Sequence, residues 1–197
     1  NVSFTLVPRI NAVGRLGFSG KSVSLLLTED ETEAMEIAKQ LNDDNTERKE
    51  IEQKILLMID DMVKSRPEIM YDRVLVIDGE GWHQGVIGIV AARIKEYLGK
   101  PTIIITRDGA EAKGSGRSVE GFSLCDAIFA CSDLLTHFGG HPMAAGLSLK
   151  SENIELFRKR INEYALQLEN IPFNACNIDC KLNPSLINVQ LVEPLAY

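Results

Sequence analysis

The spacing of apolar residues changes near residue 71, so the two parts of the chain predict different structures. From Thr28 to Lys64, apolar side chains recur every three or four residues along one stripe, which is the period of an amphipathic helix. The stripe consists of Ile37, Leu41, Ile51, Ile55, Met58 and Met62. No Gly or Pro interrupts it, and Thr28 with Glu31 predicts a capping box at its start. A helix of this length spans ~55 Å, so we expect it to link two bodies.

After residue 71, short apolar runs alternate with helical patterns, which is typical of an α/β domain. A short apolar run predicts a strand over residues 73–78, and a β-branched run predicts one over 101–106. A polar, glycine-broken strand is expected beside it over 111–118, and a further strand over 144–150. The patterns between them predict helices over residues 85–99, 123–138 and 151–170, the last with Ser151 as its N-cap. Because only a short turn joins the second and third runs, we expect that pair to be antiparallel. The predicted fold class is α/β: a mixed β-sheet flanked by helices and preceded by the long linking helix.

The negative charge of the chain is concentrated in the predicted long helix. The formal net charge is −7, and residues 28–62 alone contain twelve acids and only four bases. Residues 1–27 carry Arg9, Arg15 and Lys21 without any acid. The acidic balance therefore does not exclude a nucleic-acid ligand, because binding depends on the local potential.

Cysteine usage and hydropathy favour a cytoplasmic protein. The four cysteines, at positions 125, 131, 176 and 180, show no C-x-x-C spacing. No secretory signal opens the chain, and no apolar run approaches the ~20 residues of a membrane span. We therefore expect free thiols in a reducing compartment and no membrane partner.

One group of residues suggests a zinc site. His137 and His141 have the i, i+4 spacing that binds a metal when both lie on one helix, and Cys125 and Cys131 precede them. However, the glycines at 139 and 140 are expected to end that helix between the two histidines. The cysteines are also separated by about 240° around a helix. The arrangement therefore favours small core residues over a metal site.

Three glycine-framed stretches place a hydrogen-bond donor at the end of a predicted strand or helix. They are GWHQGVIG at 81–88, GSGRS at 114–118 and HFGGHPMAAG at 137–146. Taken singly, His83 also suits a capping loop and Arg117 a solvated turn, while Ser115 lacks the strand–turn–helix context of a nucleophile. Together they indicate one anionic ligand, because glycine admits close approach and free N–H groups at a helix start bind anions. No paired carboxylates accompany them, which predicts binding of a phosphate-bearing ligand without cleavage.

The same three stretches together resemble the DHH-associated domain of the DHH phosphoesterase superfamily. The segment PRINAVGRLG at 8–17, followed by a long acidic helix, is similar to the RecJ family of single-stranded-DNA exonucleases. The segment NPSLINVQLVEPLAY at 183–197 is similar to the RecJ region that leads into an OB-fold. The resemblance covers essentially the whole chain.

The resemblance implies the part of a 5′→3′ exonuclease that holds a single DNA strand and its 5′-phosphate beside a metal-containing DHH domain. The candidate binding residues are Arg15, His83, Arg117, Ser118, Gly139, Gly140 and His141. By this resemblance the two arginines and Ser118 would contact the 5′-terminal phosphate. The Gly–Gly–His group would hold the terminal nucleotide near the scissile bond. His83 joins the phosphate site through its place at a predicted helix start.

The resemblance also implies a cofactor, partners and boundaries. The full-length enzyme would use Mn²⁺ or Mg²⁺ through ligands of the DHH domain, whose motifs do not occur here, so we expect no metal site and an inactive fragment. The expected partners are single-stranded DNA, the upstream DHH domain and a downstream OB-fold, in a bacterial cytoplasm. The expected boundaries are 1–27 for the end of the DHH region, 28–70 for the linking helix, 71–171 for the DHH-associated domain and 172–197 for the start of the OB-fold linker.

Three alternative functions remain open at this point. The first is an oligoribonuclease or cyclic-dinucleotide phosphodiesterase of the same superfamily, against which the long helix and the continuation after residue 180 argue. The second is a nucleic-acid-binding module of a tRNA-editing protein, against which the PRINAVGR segment argues. The third is a structural domain whose glycine loops bind nothing.

Overall fold

The structure is a computed structural model that describes residues 2–17 and 20–168. Its α-helices are α1 (Val7–Leu16), α2 (Gly20–Leu27), α3 (Glu31–Ser65), α4 (Gln84–Leu98), α5 (Leu124–Phe129) and α6 (Ile154–Gln167). Its strands are β1 (Leu75–Glu80), β2 (Thr102–Asp108), β3 (Glu111–Arg117), β4 (Leu135–His141) and β5 (Ala144–Lys150). A π-helical turn forms Val2–Leu6, and 3₁₀ turns form Pro67–Tyr71, Ser132–Leu134 and Ser151–Asn153. The predictions for residues 172–197 lie outside the described residues.

The five strands form one mixed sheet in the order β1-β2-β3-β5-β4, which confirms the predicted fold class. Strands β1 and β2 are parallel, and every other neighbouring pair is antiparallel. The parallel pair is connected through α4, whereas the tight turn after Asp108 makes β2 and β3 a hairpin. The sheet thus joins a β–α–β unit to a meander of three antiparallel strands.

One face of the sheet, called here the closed face, is covered except at its β4 edge, where Phe138 is 39% exposed. Helices α5 and α6 pack on it, and alternate residues of β3 and β5 point into the core between them. The largest fully buried side chains of this core are Phe122, Leu124, Ile128, Leu149 and Phe157. This is the period-two burial expected of strands with one face in a core.

The other face is covered only in part. Helix α4 lies over β2 and β3 and packs in turn on α3, while α1 and α2 pack on α3. The rest, called here the open face, comprises the outward positions of β3, β5 and β4. These are Glu111, Lys113, Ser115, Arg117, Ala144, Gly146, Ser148, Lys150, His137, Gly139 and His141.

The long helix is confirmed, but its start is not the predicted one. Asp30 is the N-cap, and its side chain accepts a hydrogen bond from the backbone N–H of Glu33 at 3.0 Å. The Thr28 hydroxyl instead bonds the Glu33 side chain and accepts from the N–H of Asp30. Predicting the capping box at Thr28 and Glu31 was therefore wrong, because Asp30 satisfies the same orphan donors two residues later.

One side of the polar middle of α3 is buried, at Asn45, Arg48 and Glu52, while the other side is exposed. Arg48 donates to the Glu52 carboxylate at 2.7 Å and to the side-chain oxygen of Asn45 at 3.1 Å. Arg93 of α4 forms an ion pair with the other oxygen of Glu52 at 2.5 Å. This cluster explains why the middle of α3 has no apolar residue: it contacts other helices through charge and hydrogen bonds.

Two further sequence predictions were wrong in the second half of the chain. The helix predicted over 123–138 ends at Phe129, and residues 135–141 form β4 instead. Its glycines therefore lie within a strand rather than ending a helix. Ser151 opens a 3₁₀ turn, and its hydroxyl donates to the carbonyl oxygen of Gly109 at 2.8 Å, so it does not cap α6.

Candidate functional site

A cleft of about 610 Å³ opens where the C-terminus of α1, the N-terminus of α4 and the end of β3 meet. Its walls are Gly14, Arg15, Leu16, Gly17, His83, Gln84, Gly85, Gly88, Ser115 and Arg117. Helix α1 ends here because Gly17 has φ 101°, a left-handed conformation that lets its N–H bond the Val13 carbonyl. The cleft thus unites two of the stretches that the sequence singled out with the segment PRINAVGRLG.

Two glycines of α4 allow the walls of the cleft to approach one another. A Cβ on Gly85 would overlap the backbone oxygen of Arg15, so only glycine lets the end of α1 lie here. A Cβ on Gly88 would lie 2.9 Å from the Ser115 hydroxyl and 3.1 Å from the Arg117 guanidinium. The two glycines are three residues apart and lie on one face of α4. Arg15 and Arg117 therefore both pack against that face.

The two arginines face the cleft without an acidic partner. Arg117 donates to the Gly116 carbonyl at 2.7 Å and to the Ser115 hydroxyl at 3.2 Å, and Arg15 reaches the Gly85 carbonyl at 3.5 Å. Among the described residues neither arginine forms an ion pair. Burial, and secondarily the charge of Arg15, lowers the pKa of Arg117. A half-buried Arg117 beside the exposed Arg15, with no counterion, creates a site that an anion would stabilise.

His83 is the N-cap of α4 rather than a neighbour of free N–H groups. Its Nδ1 accepts from the N–H of Gly85 at 3.1 Å, and its carbonyl accepts from Val86 and Ile87. The N–H groups of Gly85, Val86 and Ile87 are therefore already bonded to His83, so these three donors are not free for an anion. With Nδ1 accepting, Nε2 carries the ring proton and can donate to a ligand in the cleft.

Ser118 does not reach the cleft. Its side chain is 1% exposed, and its hydroxyl donates to the Phe122 carbonyl at 2.7 Å, which fixes the loop after β3. Ser115 occupies the position expected of Ser118, because it lies on the same side of β3 as Arg117 while Ser118 follows the strand. Strand alternation would have found Ser115 from the sequence.

The Gly–Gly–His group divides between the two faces of β4. His141 and Gly139 lie on the open face, in register with Ala144 and Gly146 of β5, which in turn pair with Arg117 and Ser115. Gly140 points the other way with φ 152°, and a Cβ there would overlap the backbone of Ala144. The first and third members are thus placed for a ligand, and the second for close packing.

The described residues offer no metal centre. They contain no group of three or more His, Cys, Asp or Glu side chains that could bind an ion. His137 and His141 lie at the two ends of the same strand face, and four residues of strand separate their Cα atoms by ~13 Å. Cys131 is buried on the closed face, so the zinc arrangement is not formed.

Two side chains of β3 that line the same surface, Lys113 and Ser115, were not among the predicted binding residues. Lys113 donates to the Gln84 side-chain oxygen at 3.1 Å, and both lie beside Ser115. Lys113, Ser115 and Arg117 are alternate residues of β3, and this period-two pattern was the available signal.

No helix among the described residues combines the length and hydropathy that a membrane span needs.

A five-stranded mixed sheet with helices on both faces, one of them partly open and carrying Lys113 and Arg117, defines an α/β domain. The chain belongs to the DHHA1 domain family, which matches it over residues 68–167. It is 41% identical over 167 residues to the single-stranded-DNA-specific exonuclease RecJ of Bacillus subtilis, covering 83% of this chain and 21% of the relative. It is 40% identical over 202 residues to RecJ of Escherichia coli, covering 98% of this chain and 32% of the relative.

The fold is also that of a solved RecJ. The crystal structure of RecJ from Thermus thermophilus in complex with Mn²⁺ matches with a TM-score of 0.81 and 31% identity, over 99% of this chain and 28% of that chain. The chain therefore spans about a fifth to a third of the length of the curated relatives it matches. The resemblance inferred from the motifs is confirmed.

Proposed function

We propose that this chain is the part of a single-stranded-DNA-specific 5′→3′ exonuclease that holds the DNA strand by its 5′-phosphate. The observation that carries the proposal is the pair Arg15 and Arg117, which share a cleft with no carboxylate to neutralise them. Phosphate is the anion that such a pair suits, because a guanidinium offers a planar fork of donors to phosphate oxygens.

Each side chain of the cleft has a defined part in this proposal. Arg117 and Arg15 bind the 5′-terminal phosphate, the Ser115 hydroxyl bonds one of its oxygens, and the Nε2–H of His83 donates from the helix start. Along the open face, Gly139 lets the terminal nucleotide approach the backbone and His141 donates to it. Ser118 acts on the site indirectly by fixing the loop that follows Arg117.

The cleavage itself belongs outside this chain. Two-metal hydrolysis needs a cluster of carboxylate and histidine ligands, and the described residues do not fit one. We therefore assign Mn²⁺ or Mg²⁺ to an upstream DHH domain, to which residues 1–27 and the linking helix (28–70) lead. Residues 71–171 form the DHH-associated domain, and 172–197 lead to an OB-fold. The protein acts in the bacterial cytoplasm, in DNA repair and recombination.

The relatives support this proposal over the alternatives. They bear the name of a single-stranded-DNA-specific exonuclease, and they do not favour a dinucleotide phosphodiesterase or a tRNA-editing module. A purely structural domain would leave the half-buried, unpaired Arg117 without a physical reason, since burial of a charge is unfavourable unless a partner binds it.

The test is the binding of oligonucleotides with and without a 5′-phosphate to Arg117→Ala. Because an arginine–phosphate pair is charge-assisted, we expect a loss of about 1.5–3 kcal/mol for the phosphorylated strand. The slope of log K against log salt falls by about 0.7 for one lost phosphate contact. Arg160→Ala is the matched control, since Arg160 lies on α6 and is paired with Asp133. Unchanged affinity, salt slope and 5′-phosphate preference in Arg117→Ala would show that Arg117 is not a phosphate ligand.

A further inference from the structure

A second cavity continues the cleft across the open face. It has a volume of about 510 Å³ and shares Gln84 and Ser115 with the cleft described above, so the two form one groove. Its other walls include Lys113, His137, Gly139, Gly146 and Ser148. Each cavity falls within the range of ~300–1,000 Å³ that is usual for ligand sites.

The floor of this second cavity is bare backbone. Gly139 and Gly146 are paired across β4 and β5, and both face the groove. A Cβ on Gly139 would meet nothing within 4 Å, and the nearest atom to one on Gly146 would be the Gly114 oxygen at 3.9 Å. Packing therefore does not require either glycine. Since glycine weakens a strand, paired glycines on an open face indicate that a ligand approaches the backbone closely.

Side chains with hydrogen-bond donors surround the exposed backbone of Gly139 and Gly146. Lys113 is held by the Gln84 side chain at 3.1 Å and forms no ion pair within the described residues. Lys113 pairs in register with Ser148, which pairs with His137, so the three side chains form one row across the strands. A cation, a hydroxyl and an imidazole in one row provide hydrogen bonds for phosphate oxygens.

We propose that Lys113, Ser148 and His137 form a second phosphate subsite for the same DNA strand. This inference rests on the proposed function. The row through Lys113 and the row through Arg117 are four residues apart on β3, or ~13 Å. One phosphate cannot reach both rows, so the two ends of the groove hold different phosphates. Consecutive phosphates of one strand lie closer together than this distance, so the two rows hold the first and third phosphates. The intervening nucleotides lie over Gly139 and Gly146. The subsite thus makes the groove prefer a strand of three or more nucleotides.

The experiment compares the binding of 5′-phosphorylated thymidine mono-, di- and tetranucleotides to the wild-type chain and to Lys113→Ala. The variant is expected to bind the mononucleotide within about twofold of the wild type. It should bind the tetranucleotide about five- to tenfold more weakly, with a salt slope smaller by about 0.7. Lys113→Arg should restore most of the tetranucleotide affinity because it keeps the charge. Lys159→Ala is the matched control, since Lys159 is an exposed lysine of α6 on the other side of the sheet.

The outcomes separate this proposal from the one it rests on. If Lys113→Ala weakens mono- and tetranucleotide equally, Lys113 belongs to the first phosphate site and no second subsite exists. If Lys113→Ala and Lys159→Ala have equal effects, the loss is one of general charge and the proposal is wrong. If the wild-type chain binds neither phosphorylated nor unphosphorylated strands, the proposed function fails and the subsite fails with it.

Discussion

The two faces of the sheet use the same residue type for opposite purposes. On the closed face, a Cβ on Gly116 would lie 2.5 Å from a Leu124 methyl carbon and 3.2 Å from the Ile103 side chain. On the open face, a Cβ on Gly139 would meet nothing within 4 Å. Gly116 is therefore required because Leu124 and Ile103 pack against it, whereas the space beside Gly139 is not filled by any atom of the described residues.

Charged side chains differ between the two faces in the same way. Arg158 of α6 is tied to the sheet, because it donates to the Val76 carbonyl at 3.0 Å and pairs with Asp78 at 2.7 Å. Its carboxylate partners Glu155 and Asp78 raise its pKa although burial opposes the shift. Arg117, with no carboxylate, has a lowered pKa. Whether a half-buried cation has a partner thus distinguishes a structural charge from one kept for a ligand.

Replacement of Arg158 is expected to have the largest effect on the free energy of unfolding. Arg158→Ala leaves Asp78 with only Arg107 and leaves the Val76 carbonyl without its donor, so we expect the free energy of unfolding to fall by about 2–3 kcal/mol. Arg117→Ala removes no ion pair and relieves repulsion by Arg15, so it should stay within about 0.5 kcal/mol of the wild type. Urea unfolding of both variants measures the difference. An equal loss of unfolding free energy in both variants would contradict the distinction between Arg158 and Arg117.

The glycines should differ by a smaller amount. Gly116→Ala forces its methyl group against Leu124 and Ile103, and overpacking of this kind destabilises by about 1–2 kcal/mol. Gly139→Ala should leave the unfolding free energy within about 0.5 kcal/mol while weakening the binding of a DNA strand. Thermal unfolding and oligonucleotide binding of the two variants test both halves. A stable, fully binding Gly139→Ala would mean that no ligand lies over that backbone.

A third difference concerns pH and the closed face. Burial raises the pKa of the Cys131 thiol from 9.0 to about 11, so the fold favours the neutral thiol. The stability contributed by that preference is present below pH 9.0 and is lost as the pH rises through about 11. The difference in unfolding free energy between the wild type and Cys131→Ala should therefore shrink over this interval. A difference that stays constant would mean that Cys131 is accessible to water.

Local signals in the sequence were sufficient for elements whose ends are set by their own residues. Helix α4 was predicted almost to the residue because Gly99 takes the left-handed conformation that ends it. The hairpin of β2 and β3 was predicted from its β-branched run and polar turn. In contrast, β4 follows an apolar pattern that also suits a helix, and only its pairing with β5 makes it a strand. That information is tertiary and cannot be read from the local period.

The candidate site was predictable to a similar extent. Arg117 and His141 follow from glycine-framed motifs, and the structure places both on the open face. Ser118 was expected in the site because the family resemblance implied it, and Ser115 was considered only as a nucleophile, so strand parity was not applied to either. The capping role of His83 was not foreseen, because a histidine N-cap cannot be told from a ligand-binding histidine without the hydrogen bond to Gly85.

The contact between α1 and α4 shows that the functional unit of this chain is larger than its folding unit. Arg15 and Gly85 are 70 residues apart, yet the backbone of one lies against the other and completes the cleft. A fragment cut to begin at β1 would keep the whole sheet, both of its faces and Arg117. It would keep only one arginine of the proposed phosphate site, so a boundary drawn around the sheet divides that proposed site.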